Sequence, residues 1–205
     1  MARGPDTRER ILDMAQALVL EKGFSATSLD DILKATGVTK GAFFHHFASK
    51  ADLARTLIER FAENDFTLWE EWNRRAEALA DNPYQALILF LKFFEEWLDD
   101  LTEPFAGCLF AVYVYESSLF DSAVNEFVSQ SFAHWQRYYE EKFAAVIAVR
   151  KPRLPVTAKE LAETIVSILE GAFILARSHG DPVLITRQSR LFRGYLKLLF
   201  EDDVR

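Results

Sequence analysis

Thr39, Lys40, Gly41, Ala42, His45 and His46 follow directly on the turn at Gly37-Val38, and Lys50 comes four residues later. These types suit a polyanion. Lysine can donate to guanine acceptors, lysine and histidine donate to phosphate, and small residues let a backbone approach base edges. Catalysis finds less support. The pairs Glu95-Glu96 and Asp99-Asp100 and the scattered His134 and His179 show no spacing that singles out an acid–base constellation. Gly-rich phosphate loops, HExxH and GxSxG are absent from the sequence. With four histidines and one cysteine, only His45 and His46 stand close together, on the same segment as Lys40. The chain is therefore expected to be no enzyme and to need neither cofactor nor metal.

Positioning such a surface takes two short helices and a tight turn. Thr7 to Glu21 reads as a first helix with Ile11, Ala15, Leu18 and Val19 on one face, ended by Gly23. A second starts at Thr27-Ser28, where Thr27-x-x-Asp30 has the form of a capping box, and turns Leu29, Ile32 and Leu33 inward. Gly37 supplies the turn. A third helix over about Lys40 to His46 buries Phe43, with Phe47 one turn further on, and leaves the polar residues outside. Ser49-x-x-Asp52 caps the next helix. Downstream, Asn82-Pro83 opens a helix carrying Leu87, Phe90, Phe94 and Trp97. Thr102–Gly107 reads as a loop, and breaks fall at Lys151–Pro155 and Gly180–Pro182. No strand pattern or internal repeat emerges, so the expectation is an all-α chain. Taken alone, residues 27–47 also fit an ordinary helical hairpin without a DNA role.

The segment TRERILDMAQALVLEKGFSATSLDDILKATGVTKGAFFHHFASKADL, ungapped from about Thr7 to Leu53, resembles the N-terminal domain of the TetR family of repressors. Its most specific part is Gly37-Val38-Thr39-Lys40-Gly41 followed by Phe43, Phe44, His46, Phe47 and Lys50. The resemblance implies a three-helix helix-turn-helix DNA-binding domain over residues 1–50 and a helical ligand-binding and dimerisation domain over 51–205. It implies phosphate contacts from Thr27, Ser28, His46 and Lys50, and base contacts from Thr39, Lys40 and Ala42. Phe44 and His45 complete the DNA-facing set. Family members usually carry Tyr at the position of Phe44, so one phosphate-bonding hydroxyl is missing, a loss of about 0.5–1.5 kcal/mol. Asp30 and Asp31 are expected to point away from phosphate or to cap their helix. Arg3, Arg8 and Arg10 could reach DNA from the arm, or simply be solvated charge.

Composition permits this. The chain has 205 residues, 50% of them apolar and 18 of them Phe, enough for a sizeable core and an aromatic cavity. The net charge of −7 is unevenly spread: residues 1–50 sum to +1 and the rest to −8. No stretch is long and apolar enough for a bilayer and no signal region opens the chain, so a cytoplasmic protein without membrane contact is expected. Cys108, the single cysteine, reads either as a small buried residue or as a thiol activated at a helix start.

Further implied by the resemblance are six more helices, the last two (about Thr157–Ser178 and Leu184–Phe200) pairing with those of a second subunit. Leu161, Ile165, Ile168, Ala172 and Leu175, with Phe192, Tyr195 and Leu199, are the stripes expected there, Gly171 and Ala172 allowing close approach. A homodimer would read a near-palindromic double-stranded DNA operator, released by a small hydrophobic or aromatic ligand. Trp69, Trp72, Phe90, Phe94, Trp97, Phe110, Tyr113, Trp135, Tyr138 and Phe173 are the candidate pocket lining, with Glu116, His134 and Arg177 as polar anchors. Two other readings remain open at this level: a helical ligand-binding or protein-interaction module, and an unrecognised enzyme, whose N-terminal helices do not bind DNA.

Overall fold

The computed structural model describes residues 7–101 and 106–201. Among them every regular element is helical. They are α1 (Thr7–Lys22), α2 (Leu29–Thr36), α3 (Lys40–His46), α4 (Lys50–Leu79), α5 (Pro83–Asp99), α6 (Leu109–Tyr115), a 3-10 turn (Ser117–Leu119), α7 (Ser122–Val149), α8 (Ala158–His179) and α9 (Val183–Phe200). Arg3 and the segment Thr102–Phe105 of the expected loop lie outside the described residues.

Local chemistry sets most boundaries. Gly23 (φ +86°) and Gly37 (φ +67°) end α1 and α2 in the left-handed region, where a side chain would be strained. Asn82 accepts from the Gln85 amide to start α5, with Pro83 in its first turn, and Thr157 and Glu160 form a reciprocal capping box on α8. At α2 the cap differs from expectation by one residue. Ser28, not Thr27, is the N-cap: its hydroxyl accepts from Asp31 N, and the Asp31 carboxylate accepts from Ser28 N. Thr27 is fully buried and donates its hydroxyl to the Gly23 carbonyl at 2.7 Å.

The chain divides into two compact units, the first running to Asp65 and including Ala106–Gln130, the second made of the remainder. In the first, α1 packs on α2 and α6, around Ile11, Leu12, Ala15, Val19, Ile32, Phe43, Phe47 and Leu57. Arg60 of α4 ties back to α1 through Glu9 (3.0 Å), Asp13 (2.7 Å) and Gln16 (3.2 Å). In the second, α9 packs on α5 and α8 over a core of Leu87, Phe90, Phe143, Ile165, Leu169, Phe192 and Leu196. The side chain of Glu95 on α5, only 4% exposed, is held there by the Arg193 guanidinium at 2.8–3.2 Å and by the Ser189 hydroxyl at 3.2 Å.

Candidate nucleic-acid interface and ligand cluster

The third helix is amphipathic over less than two turns. Phe43 and Phe47 are buried and in ring contact (5.6 Å), while Lys40, Gly41, Phe44 and His45 form the solvent face. Thr39 caps the helix, its oxygen accepting from Ala42 N at 3.2 Å. Ala42 and His46 lie half-exposed at the margin, and His46 meets His45 edge to face. No acidic residue stands in the first turn of α3, so its positive end is not masked locally. Gly41 lowers helix propensity by about 1 kcal/mol relative to Ala, yet a Cβ there would meet nothing within 4 Å. Packing within the chain does not require glycine, and its absent side chain leaves room for an incoming surface.

The other expected DNA-binding residues are arranged unevenly. Ser28 is exposed at the N-terminus of α2, where its hydroxyl and amide are engaged with Asp31 in the capping box and Asp30 and Asp31 stand in the first turn. Thr27 is a correction: with its hydroxyl buried on Gly23, it shapes the turn and presents no group to phosphate. Lys50 is half-buried. Its ammonium donates to the Phe24 carbonyl at 2.8 Å and lies 4.1 Å from the centre of the Phe24 ring. Desolvation lowers its pKa, opposed by the charges of Glu116 and Asp31. Asp31 does cap its helix, and the Lys22 ammonium and the Ser28 amide hold its carboxyl well below the usual range. Arg10 donates to the Thr36 carbonyl at 3.0 Å and so ties α1 to the end of α2, while Arg8 pairs with its neighbour Glu9 at 3.1 Å and lies 5.7 Å from the centre of the Phe47 ring.

Of the expected pocket residues, Trp69, Trp72, Phe90, Phe94, Trp97, Trp135 and Tyr138 come together in the second unit. Their rings touch directly: Trp69 lies 4.5 Å from Trp135, 5.1 Å from Phe90 and 5.7 Å from Phe94. Phe173 packs, half-buried, against the same core. Phe110 and Tyr113 do not join them. In the first unit Phe110 meets Phe61 (5.3 Å), and Tyr113 stacks on Phe120 while donating its hydroxyl to the Ala54 carbonyl at 2.7 Å. Burial accordingly raises the Tyr113 pKa. Glu116 is also no pocket anchor, because its carboxylate is spent on the backbone of Phe24 and Ser25. His134 sits edge-on to Phe66 at 4.4 Å.

A cavity of about 290 Å³ opens in the second unit, bordered by Asn73, Glu77, Asn82, Leu87 and Lys142 among others. Sequence reasoning passed over Lys142, whose signal is its spacing: it follows Tyr138 by one turn on α7. Its ammonium sits over the Tyr138 ring at 4.5 Å and the Phe90 ring at 5.6 Å, bonds to Asn73, and lies 4.0 Å from Glu77. Burial lowers its pKa.

The stripe expected on α8 splits. Leu161, Ile165 and Ala172 face the intramolecular core, as do Phe192 and Leu199 of α9, whereas Leu175 is 46% exposed. Leu191 and Leu198, 62% and 73% exposed, lie seven residues apart on α9 and so share a face. Gly194 lies on that face and Gly171 on the Leu175 face of α8, both with open space where a Cβ would stand.

Residues 11–57 match the family described as "Bacterial regulatory proteins, tetR family". Residues 83–190, more than half of the chain, match the "Transcriptional regulator LmrA/YxaF-like, C-terminal domain". The chain is a TetR-family transcription regulator. As a TetR-family member it is similar to the HTH-type transcriptional regulator LmrA of Bacillus subtilis (strain 168), with 28% identity over 83% of this chain and 86% of the relative. It is also similar to the HTH-type transcriptional repressor DhaR of Mycobacterium sp. (strain GP1), with 24% identity over 98% of this chain and 93% of the relative. Among solved structures, a TetR transcriptional regulator from Chloroflexus aurantiacus J-10-FL superposes with a TM-score of 0.75 at 27% identity, over 98% of this chain and 99% of that one. The helix-turn-helix followed by a helical C-terminal part is the architecture of this TetR-family regulator. Among the described residues no helix is long and apolar enough to cross a membrane.

Proposed function

We infer that this regulator is a cytoplasmic, homodimeric repressor that binds a near-palindromic operator and is released from it by a small apolar or aromatic ligand. The observation that carries DNA recognition is the outward face of α3, where Lys40, Gly41, Phe44 and His45 stand over buried Phe43 and Phe47. Lys40 and Thr39 meet base edges, Ala42 and Phe44 make apolar contact, and His45, His46 and Ser28 serve the backbone. Lys50 adds charge beside them: an ammonium has three donors, and Phe24 engages it through one carbonyl. Repression is supported by the similarity to DhaR, a transcriptional repressor. Within this reading residues 1–50 carry the DNA contacts and 51–205 the ligand and the dimer. No catalytic step belongs to it.

Dimerisation is supported by the exposed faces of Leu175 on α8 and of Leu191 and Leu198 on α9, which in a four-helix interface leave water. Two recognition helices about 34–36 Å apart then read half-sites one helical turn apart. The ligand occupies the aromatic cluster around Trp69, Phe90, Phe94, Trp97, Trp135 and Tyr138, approached from the cavity beside Leu87 and Lys142. A coupling of about 1–3 kcal/mol between ligand and operator is enough for release.

The test is selection of bound fragments from genomic DNA, followed by affinity against salt for wild type, Lys40→Ala and Lys50→Ala. A near-palindromic site is expected. Lys40→Ala should relax sequence preference at one position by about 1–3 kcal/mol, and Lys50→Ala should weaken all sequences and flatten the salt slope. Failure of every fragment to outcompete bulk DNA, with neither substitution mattering, would reject the reading.

A further inference from the structure

Glu116 forms the C-terminal cap of α6, yet its carboxylate is turned onto the α1–α2 connection. One oxygen accepts from Phe24 N at 2.7 Å, both lie 3.3 Å from Ser25 N, and the Ser25 hydroxyl donates to the same group. At Gly23 (φ +86°) a Cβ would come within 3.0 Å of that carboxylate. From α4, the Lys50 ammonium takes the Phe24 carbonyl at 2.8 Å. The Phe24 ring packs on Phe120 (5.0 Å) and Tyr113 (6.2 Å). The connection is thus gripped through its amides by α6 and through its carbonyl by α4. Thr27, bonded to the Gly23 carbonyl, passes that placement to Ser28 and the N-terminus of α2.

We propose that Glu116 is a positioning residue for operator binding: by clamping the Phe24 and Ser25 amides it sets where α2 presents its N-terminus while α3 lies in the groove. Helix-turn-helix docking needs backbone contacts from the first helix and base contacts from the second together. A shift of the α2 N-terminus therefore costs affinity even with α3 intact. The proposal rests on the DNA-binding reading above.

The sign of the charge effect separates this role from that of a bystander acid. A carboxylate in the DNA-binding unit repels phosphate, so neutralising a bystander leaves operator affinity unchanged or raises it. Neutralising a positioning clamp lowers it. In Glu116→Gln one acceptor oxygen remains and the new amide donors oppose the N–H groups of Phe24 and Ser25. Loss of a charge-assisted set of this kind corresponds to roughly a tenfold loss of operator affinity.

The experiment measures affinity for the selected operator and hydrogen exchange at the Phe24 and Ser25 amides, for wild type, Glu116→Gln, Glu116→Asp and Ser25→Ala, well below their melting temperatures. Expected are fast exchange at both amides and about tenfold weaker binding for Glu116→Gln. Glu116→Asp, with the charge but a shorter reach, should be impaired likewise, and Ser25→Ala, which keeps both amide bonds and loses only the hydroxyl bond, should lose less affinity than Glu116→Gln. Glu116→Asp alone decides the matter if Glu116→Gln does not fold. Amides that stay protected in the variants, or exposed amides with undiminished operator binding, would overturn the proposal while the DNA-binding reading stands. If wild type selects no operator, the DNA-binding reading fails and this proposal with it, and exchange at the two amides would still tell whether the clamp exists.

Discussion

Arg193→Ala is predicted to be among the most damaging single changes in the second unit. The Glu95 side chain is 4% exposed and that of Arg193 18% exposed, and the pair is bonded at 2.8–3.2 Å from α5 to α9. Removing the guanidinium leaves a carboxylate in the interior with the Ser189 hydroxyl at 3.2 Å and Arg190 at 3.9 Å as partners. Breaking a buried pair typically costs about 3–5 kcal/mol. The remaining partners place this case at the lower end, about 3 kcal/mol. For a chain of this size that lowers the melting temperature by roughly 6–12 °C, readable by calorimetry at fixed protein concentration. The paired change Glu95→Leu with Arg193→Leu removes both charges and should recover most of the loss, because the desolvation cost of the pair disappears with it. An Arg193→Ala variant within about 1 kcal/mol of wild type, or a paired variant no more stable than the single one, would refute this role of the ion pair.

Leu198→Glu should halve the mass measured by light scattering and weaken operator binding, because a residue 73% exposed in one chain has no other core to lose. A dimer that persists would move the interface elsewhere. Ser28→Ala removes the α2 cap and is expected to cost about 1 kcal/mol in urea unfolding. Thr27→Val, which deletes the buried bond to Gly23, should cost about 0.5–1.5 kcal/mol without changing the salt slope of DNA binding. Asp31 gives a pH signature. Its folded pKa lies well below the unfolded value, so its contribution is complete above the ordinary carboxylate range, begins to fall as pH enters that range and is lost only as pH passes through the folded value. Wild type should lose stability more steeply than Asp31→Asn between about pH 4 and pH 2, and parallel profiles would contradict this.

The helices were legible where their signals are local. Ser49 and Asn82 cap the helices expected of them because a side-chain oxygen three residues before a free amide needs no distant help. The α2 cap was ambiguous because Thr27-x-x-Asp30 and Ser28-x-x-Asp31 have the same form. Tertiary structure broke the tie by burying Thr27 and by pairing Asp31 with Lys22. Glu116 could not be found from spacing, since its partners lie 91 and 92 residues away. Phe110 and Tyr113 were expected to line the pocket on aromatic type and helical position, which carry no information about which core receives them. On α8 a three-to-four spacing admits two adjacent faces, which is why Leu175 shared a stripe with Leu161 while facing water.

The same accounting explains how an acidic chain can present a surface for DNA. Net charge describes the molecule at a distance, whereas docking depends on the field within about 10 Å of the contact. In the first unit the acids are largely committed elsewhere. Glu9 and Asp13 hold Arg60, Asp31 holds Lys22 and its own helix start, Asp52 accepts from Ala48 N at 2.9 Å, and Glu116 faces the turn amides. Arg8 and Lys22 are paired in return with Glu9 and Asp31, and Arg10 ties α1 to the Thr36 carbonyl. What remains on the exposed side of α3 is Lys40, the two histidines, and a helix start with no acid in its first turn. A charge count over residues 1–50 therefore understates the asymmetry. Within that surplus of +1, Arg8 with Glu9 and Lys22 with Asp31 cancel as surface pairs, whereas Lys40 stands on the exposed side of α3 with no acid in the first turn of its helix.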